Sequence, residues 1–143
     1  AASDAYWVPT LSPVNAQLAE PALFAALTPN MRHVILRSLL RHQALIAEGA
    51  ALGATIAAGT DAGAPGVLHG ASLIEEILLL HNAGLTKLKA LQAATSLAAQ
   101  ACGLTAAGSI APGKKPYLLA VKGNPLQDLN VLRQPLALFI PAA

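Results

Sequence analysis

The residues most able to do chemistry lie in one stretch, Ala54-Thr-Ile-Ala-Ala-Gly-Thr-Asp-Ala-Gly-Ala-Pro-Gly-Val-Leu-His-Gly70. It begins as a short apolar run with Thr55 and Ile56, which reads as a buried strand. Small residues then surround a single acid, Asp61, and the chain turns through Gly63, Pro65 and Gly66 to reach His69. An apolar helical pattern follows at once from Ser72. A carboxylate at the C-terminal end of a buried strand, opening into a loop and then a helix, is where α/β barrels and doubly wound sheets place their chemistry. Two readings of Asp61 follow: an acid that caps the following loop, or an oxygen ligand and base. The glycines here are not a phosphate loop, because no Gly-Lys-Ser/Thr follows them.

The other candidates are fewer. His69 is either a loop histidine bonded to backbone or a second site residue. His42 falls within the apolar arc of a predicted helix, where a lone histidine is a core or interface residue more often than a ligand. His33 lies about 180° round the same helix, so the two cannot clasp one ion. His81, near a helix end, is well placed to meet the negative helix terminus. Cys102, in an Ala-rich helix, reads as a small hydrophobe.

Several elements must position these groups. Tyr6-Trp-Val-Pro-Thr-Leu11 is β-prone and ends at Ser12-Pro13; Pro9 lacks an N–H, so the strand is short or lies at an edge. Between Asn15 and Asn30 the two prolines, Pro21 and Pro29, frame a short helix. Asn30 is the expected N-cap of a long helix from Met31 to Ala51. On it Met31, Val34, Ile35, Leu39, Leu45 and Ile46 share one arc, Leu36 and Leu40 flank it, and His33, Arg37, Arg41 and Glu48 lie opposite. Gly53 ends this helix and the Asp61 strand follows, giving a β–α–β unit. A helix over Leu73–Asn82 carries Glu75 and Glu76 in its first turn, where the macrodipole favours acids, and Gly84 stops it. Thr86 caps a further helix running towards Cys102 and Gly103; Lys87 and Lys89 in its first turn oppose the dipole. From Gly108 the pattern changes to short strands, Tyr117–Val121 and Leu136–Ile140.

At 143 residues the chain can bury one core. It is shorter than a complete (β/α)₈ barrel, which takes roughly 200 residues or more. Charged residues make up 11%, against about 25% in an ordinary domain. Much of the surface is therefore expected to meet protein rather than water. The net charge of +2 is scattered, which leaves no nucleic-acid footprint. A single cysteine excludes an internal disulfide and leaves the compartment open, with the cytoplasm as default. No apolar run reaches about 18 residues, so no membrane span is expected. The start, Ala1-Ala-Ser-Asp, shows neither Met nor leader, which suggests numbering from within a longer reading frame or from after a removed tag.

Gly59-Thr-Asp-Ala-Gly63, with Pro65-Gly66 and His69-Gly70, resembles the last barrel strand of the amidohydrolase superfamily, in its imidazolonepropionase/prolidase-like branch. His81-Asn-Ala-Gly-Leu-Thr86 to Ala93-Ala-Thr95 and Gly108-Ser-Ile-Ala-Pro-Gly-Lys114 are similar to later family motifs. The likeness runs from Pro9 to Leu132. Departures are Lys87 and Lys89, where Pro and Glu are usual, and Pro116-Tyr117, where the family has Ala-Asp.

The resemblance implies a metal-dependent hydrolase of amide or peptide-like C–N bonds, with esters or phosphotriesters as further conceivable substrates. In such enzymes the aspartate matching Asp61 binds a divalent metal, expected to be zinc, and moves a proton from the attacking water to the leaving group. The family's His-x-His pair and its other ligands come from earlier strands and are not in this sequence. One copy offers too few ligands for a closed site, so copies must pool Asp61, His69 and His42, with Asp61 and His69 as catalytic candidates.

The expected fold is α/β: a partial (β/α)₈ barrel, formed of the last two βα units, plus a C-terminal helix and a small β segment. Residues 1–104 would form the barrel part and 105–143 the β-rich unit. Small-molecule substrate and a homo-oligomer that completes the barrel are the expected partners; nucleic acid and membrane are not. The alternative is a non-catalytic, self-associating piece of such an enzyme.

Overall fold

The computed structural model describes residues 5–141; residues 1–4 and 142–143, the outer ends of the two expected units, lie outside it. Strand β1 (Tyr6–Trp7) leads into helices α1 (Ser12–Ala19), α2 (Pro21–Ala26) and α3 (Pro29–Ala51). Strand β2 (Thr55–Ile56), α4 (Ala71–Asn82), α5 (Lys87–Ala94) and α6 (Ser96–Ala101) follow. The chain closes with β3 (Leu118–Val121), a 3-10 helix at Leu129–Arg133 and β4 (Pro135–Phe139).

As expected, the two apolar runs flanking α3 are parallel neighbours, with Tyr6 opposite Thr55 and Trp7 opposite Ile56. Both strands are shorter than their apolar patterns. After Trp7 the chain turns at Thr10, and Leu11 is wholly buried as the residue that opens α1. The pairing continues by one bond, from the Ala57 amide to the Trp7 carbonyl at 3.0 Å. Gly49 and Gly59 permit this closeness: a Cβ at Gly49 would stand 2.6 Å from the Trp7 ring, and one at Gly59 would stand 2.5 Å from Val8 Cγ1. The architecture is mixed α/β, and among the described residues the strands form two two-stranded sheets and no closed barrel.

Helix α3 starts earlier than expected. Its N-cap is Thr28, whose hydroxyl accepts from the Met31 amide at 3.3 Å, and Pro29 stands at the first helical turn. Proline suits that place because its missing N–H would be unpaired anyway; Asn30 is therefore inside the helix. Of the predicted apolar arc Leu39 and Ile46 are buried, Ile35 and Leu45 half-buried, and Met31 and Val34 exposed; the flanking Leu36 and Leu40 are exposed as well. The exposed Met31 and Val34 lie on a different side of α3 from Leu36 and Leu40.

Helix α4 begins at Ala71, so Glu75 and Glu76 fall beyond its first turn. This overturns the dipole role expected for them. The next helical stretch is two helices, broken at Thr95, whose backbone (φ −125°, ψ −90°) is not helical. Thr86 does cap α5, accepting from the Lys89 amide at 3.2 Å, and this holds its start despite the two lysines. Cys102 is exposed at the end of α6 rather than packed as a hydrophobe.

The core is one cluster in which Leu11, Ile46, Ile56, Ile77, Leu80 and Ala90 meet Leu129 and Leu132 of the 3-10 helix. Fully burying a side chain such as Leu80 contributes about 1.5–3 kcal/mol. β3 and β4 form a separate antiparallel pair, with Leu118 opposite Phe139 and a register shift between Ala120 and Val121. No described helix is long and apolar enough to cross a membrane.

Candidate active site

The loop after β2 is built by its own backbone. The Ala64 amide donates to the Asp61 carbonyl at 3.1 Å, and the Gly63 amide to the Val67 carbonyl at 3.1 Å. Val67, whose carbonyl takes the second bond, is buried. Asp61 has φ 53°, in the left-handed region, which Asp tolerates better than most residues. Its backbone, not its carboxylate, closes the turn. The side chain is exposed, and among the described residues its carboxylate has no hydrogen-bond partner. The loop-capping reading of Asp61 therefore does not hold for the side chain.

His69 is exposed at the far end of this loop. Its carbonyl accepts from the Ala71 amide at 3.0 Å, and its ring makes no hydrogen bond among the described residues. His42 and His33 are both exposed on α3, so His42 is not a core residue. His81 lies in the last turn of α4, as expected, but its ring meets a carbonyl beyond the helix: Nδ1 lies 2.7 Å from the Leu85 carbonyl. A carbonyl can only accept, so Nδ1 carries the proton. Among the described residues no three His, Cys, Asp or Glu side chains are grouped to hold a metal ion. Asp61, His69 and His42 thus do not make a closed site within one chain, and this donor set alone does not fit a divalent ion.

Sequence reasoning missed Glu76. It is fully buried, and its carboxylate accepts from the Leu11 amide (2.9 Å), the Ser12 amide (2.8 Å) and the Ser12 hydroxyl (2.6 Å). The acid of α4 thereby caps the N-terminus of α1. Burial pushes its carboxyl above the ordinary value, although all three hydrogen bonds act against that shift. Its i, i+4 spacing from Ser72 was the available signal, since the two must share a face.

Beside the loop, a groove of about 420 Å³ runs between α1 and α4, lined among others by Ser12, Asn15, Leu68, Glu75 and Arg133. Glu75 and Arg133 are ion-paired across it. Gly66 and Leu68 of the loop line this groove, whereas Asp61 and His69 do not.

Comparison with known proteins fits this geometry. Residues 14–139 match the amidohydrolase family. Ochratoxinase of Aspergillus niger is 37% identical over 87 residues, which cover 59% of this chain and 17% of that protein. A putative prolidase from Bifidobacterium longum superposes with TM-score 0.80 at 29% identity, covering 95% of this chain and 34% of the prolidase. A Xaa-Pro dipeptidase with methionine bound in its active site gives TM-score 0.76 at 28% identity, covering 94% of this chain and 33% of the dipeptidase. The chain thus spans about a sixth of the curated relative and about a third of these solved structures. The family is generally dependent on divalent metals, and its members here are hydrolases. The match covers most of the chain, and the parallel strand pair leads into the loop that carries Asp61: the chain belongs to the amidohydrolase family.

Proposed function

We propose that this chain supplies the last two βα units of an amidohydrolase barrel and one ligand, Asp61, of a hydrolytic centre for amide or peptide-like C–N bonds. The observation that carries the reading is the Asp61 carboxylate, exposed and without a side-chain hydrogen bond at the end of β2. A carboxylate left uncommitted at a strand end is available as a ligand and base. The neighbours named for acting on peptides and on ochratoxin support a C–N substrate, with esters or phosphotriesters as secondary ones. Residues 105–143 form the small β-rich unit beside the barrel part, residues 1–104.

The remaining ligands lie outside a single copy. Copies that associate would pool Asp61, His69 and His42 around a divalent ion, with zinc as the expected metal and a small molecule as substrate. Association also completes the barrel, since β1 and β2 have only each other as neighbours among the described residues.

A second reading is a non-catalytic, self-associating piece, favoured by the exposed Met31, Val34, Leu36 and Leu40 on α3. Metal analysis of chelator-stripped and zinc-reloaded protein separates the two, paired with hydrolysis of an N-acyl amino acid and an Xaa-Pro dipeptide. Stoichiometric zinc and hydrolysis that Asp61→Asn abolishes, with an unchanged circular dichroism spectrum, establish the first. Associated protein that binds no zinc and hydrolyses neither compound establishes the second.

A further inference from the structure

Ser72 and Glu76 stand four residues apart on α4, one above the other on the same face. Both are buried, Glu76 completely. Glu76 receives the Leu11 amide, the Ser12 amide and the Ser12 hydroxyl, all in the turn that follows β1. Ser72 Oγ accepts from the Leu68 amide at 2.8 Å, in the loop that follows β2. The two attachments also meet each other, because the Ser12 hydroxyl lies 3.5 Å from the Ser72 carbonyl.

We infer that Ser72 and Glu76 form a clamp that sets the spacing between the turns after β1 and β2, and that Glu76 is a positioning residue for the Asp61 loop. Two-residue strands supply few ladder bonds to fix that spacing. The Asp61 side chain touches no hydrogen-bond partner, so its location is set by the backbone on either side of it. On one side that backbone is the β1–β2 pair. On the other it is Leu68, which hangs from α4 through Ser72. Glu76, one turn along, ties the same helix to the β1 turn. A buried carboxylate holding three donors resists displacement, because any donor it released would be left unpaired.

The inference rests on the reading of Asp61 as the site aspartate, but its test does not need activity. Amide hydrogen exchange and ¹⁵N–¹H spectra are recorded for Glu76→Gln and for Ser12→Ala. The glutamine keeps the shape of Glu76 but turns an NH₂ towards a donor. Exchange at Leu11 and Ser12 should accelerate about tenfold. The Leu68 and Ala64 amides should follow, by about threefold or more, and the Asp61 amide resonance should shift. Ser12→Ala keeps both amide bonds to Glu76 and loses only the hydroxyl; it should give the same pattern at smaller amplitude, and it decides the matter if Glu76→Gln does not fold. Acceleration confined to α1, with Ala64, Leu68 and Asp61 unchanged, would show that Glu76 is a helix cap alone. Lack of hydrolysis beside a positive exchange result would count against the function of Asp61 and leave the clamp standing.

Discussion

Thr10 and Asp61 adopt the same left-handed backbone, φ 54° and φ 53°, just beyond the ends of the two paired strands. Asp tolerates this conformation; a β-branched residue does not, and the cost is about 1–2 kcal/mol. Thr10→Gly removes that cost and loses part of the gain to chain entropy. The expected outcome is a net stabilisation of about 0.5–1 kcal/mol, read as a higher urea midpoint. A lower midpoint would show that the Thr10 side chain contributes more than its backbone costs.

Gly49 gives a sharper case, because two effects compete. In a helix, Ala is favoured over Gly by about 1 kcal/mol. Here the added Cβ would lie 2.6 Å from the Trp7 ring, below any normal contact. The ring is packed against the core, so it can give way only by losing contacts there. Gly49→Ala should therefore destabilise by about 1–3 kcal/mol. Trp7 is the single tryptophan, so a changed fluorescence maximum in the folded variant would report the displaced ring directly. A stabilised variant with unchanged emission would refute the packing argument.

Glu76 predicts a pH dependence with a definite sign. Burial raises its folded value above the ordinary one of about 4.5, so the folded state holds the proton more tightly than the unfolded chain does. The associated stability is fully present below pH 4.5 and declines as pH rises through the raised value, then levels off. Glu76→Gln lacks this group. The difference in urea midpoint, wild type minus variant, should fall as pH increases from about 4.5. A difference that grows over the same range would mean that the three hydrogen bonds outweigh the burial.

The exposed side of α3 predicts association. Leu36 and Leu40 are 46% and 55% exposed, and they lie four residues apart on one face. Leu36→Glu combined with Leu40→Glu should leave the helix content intact and convert an assembly into a monomer in sedimentation at micromolar concentration. Wild-type protein that already sediments as a 14.5 kDa monomer would refute association through this face.

What could be read from the sequence was mostly what local chemistry determines. The Thr86 cap, the stops at Gly53 and Gly84 and the helix-end position of His81 each depend on residues close in the chain. The parallel pairing across α3 instead joins distant residues, and was legible from the β–α–β order of the elements. Thr28 was legible too, through Pro29, but Asn30 is the better cap by identity alone and it misled. Glu76 was not legible. An acid in a helix looks solvated until the donors 64 and 65 residues away are known to face it. The apolar arc of α3 was legible in large part, since Leu39 and Ile46 are buried and Ile35 and Leu45 half-buried. The exposure of Met31 and Val34 was not, because periodicity shows which side of a helix seeks cover, not whether the chain itself provides it along the whole length. Asp61 was legible by motif, and its freedom from side-chain partners was not.

The shortness of the strand pair also has a kinetic meaning. Tyr6 and Thr55 meet only after the intervening segment, which holds α1, α2 and α3, has been gathered in, and closing so long a loop must precede any reward from two residues of ladder. α3 is instead built from contacts three and four residues apart, which form on the fastest timescale available to a chain. The order of events follows: helix first, strands last. On unfolding, the strand pair should open while α3 is still wound, so Trp7 would report exposure before helical ellipticity is lost.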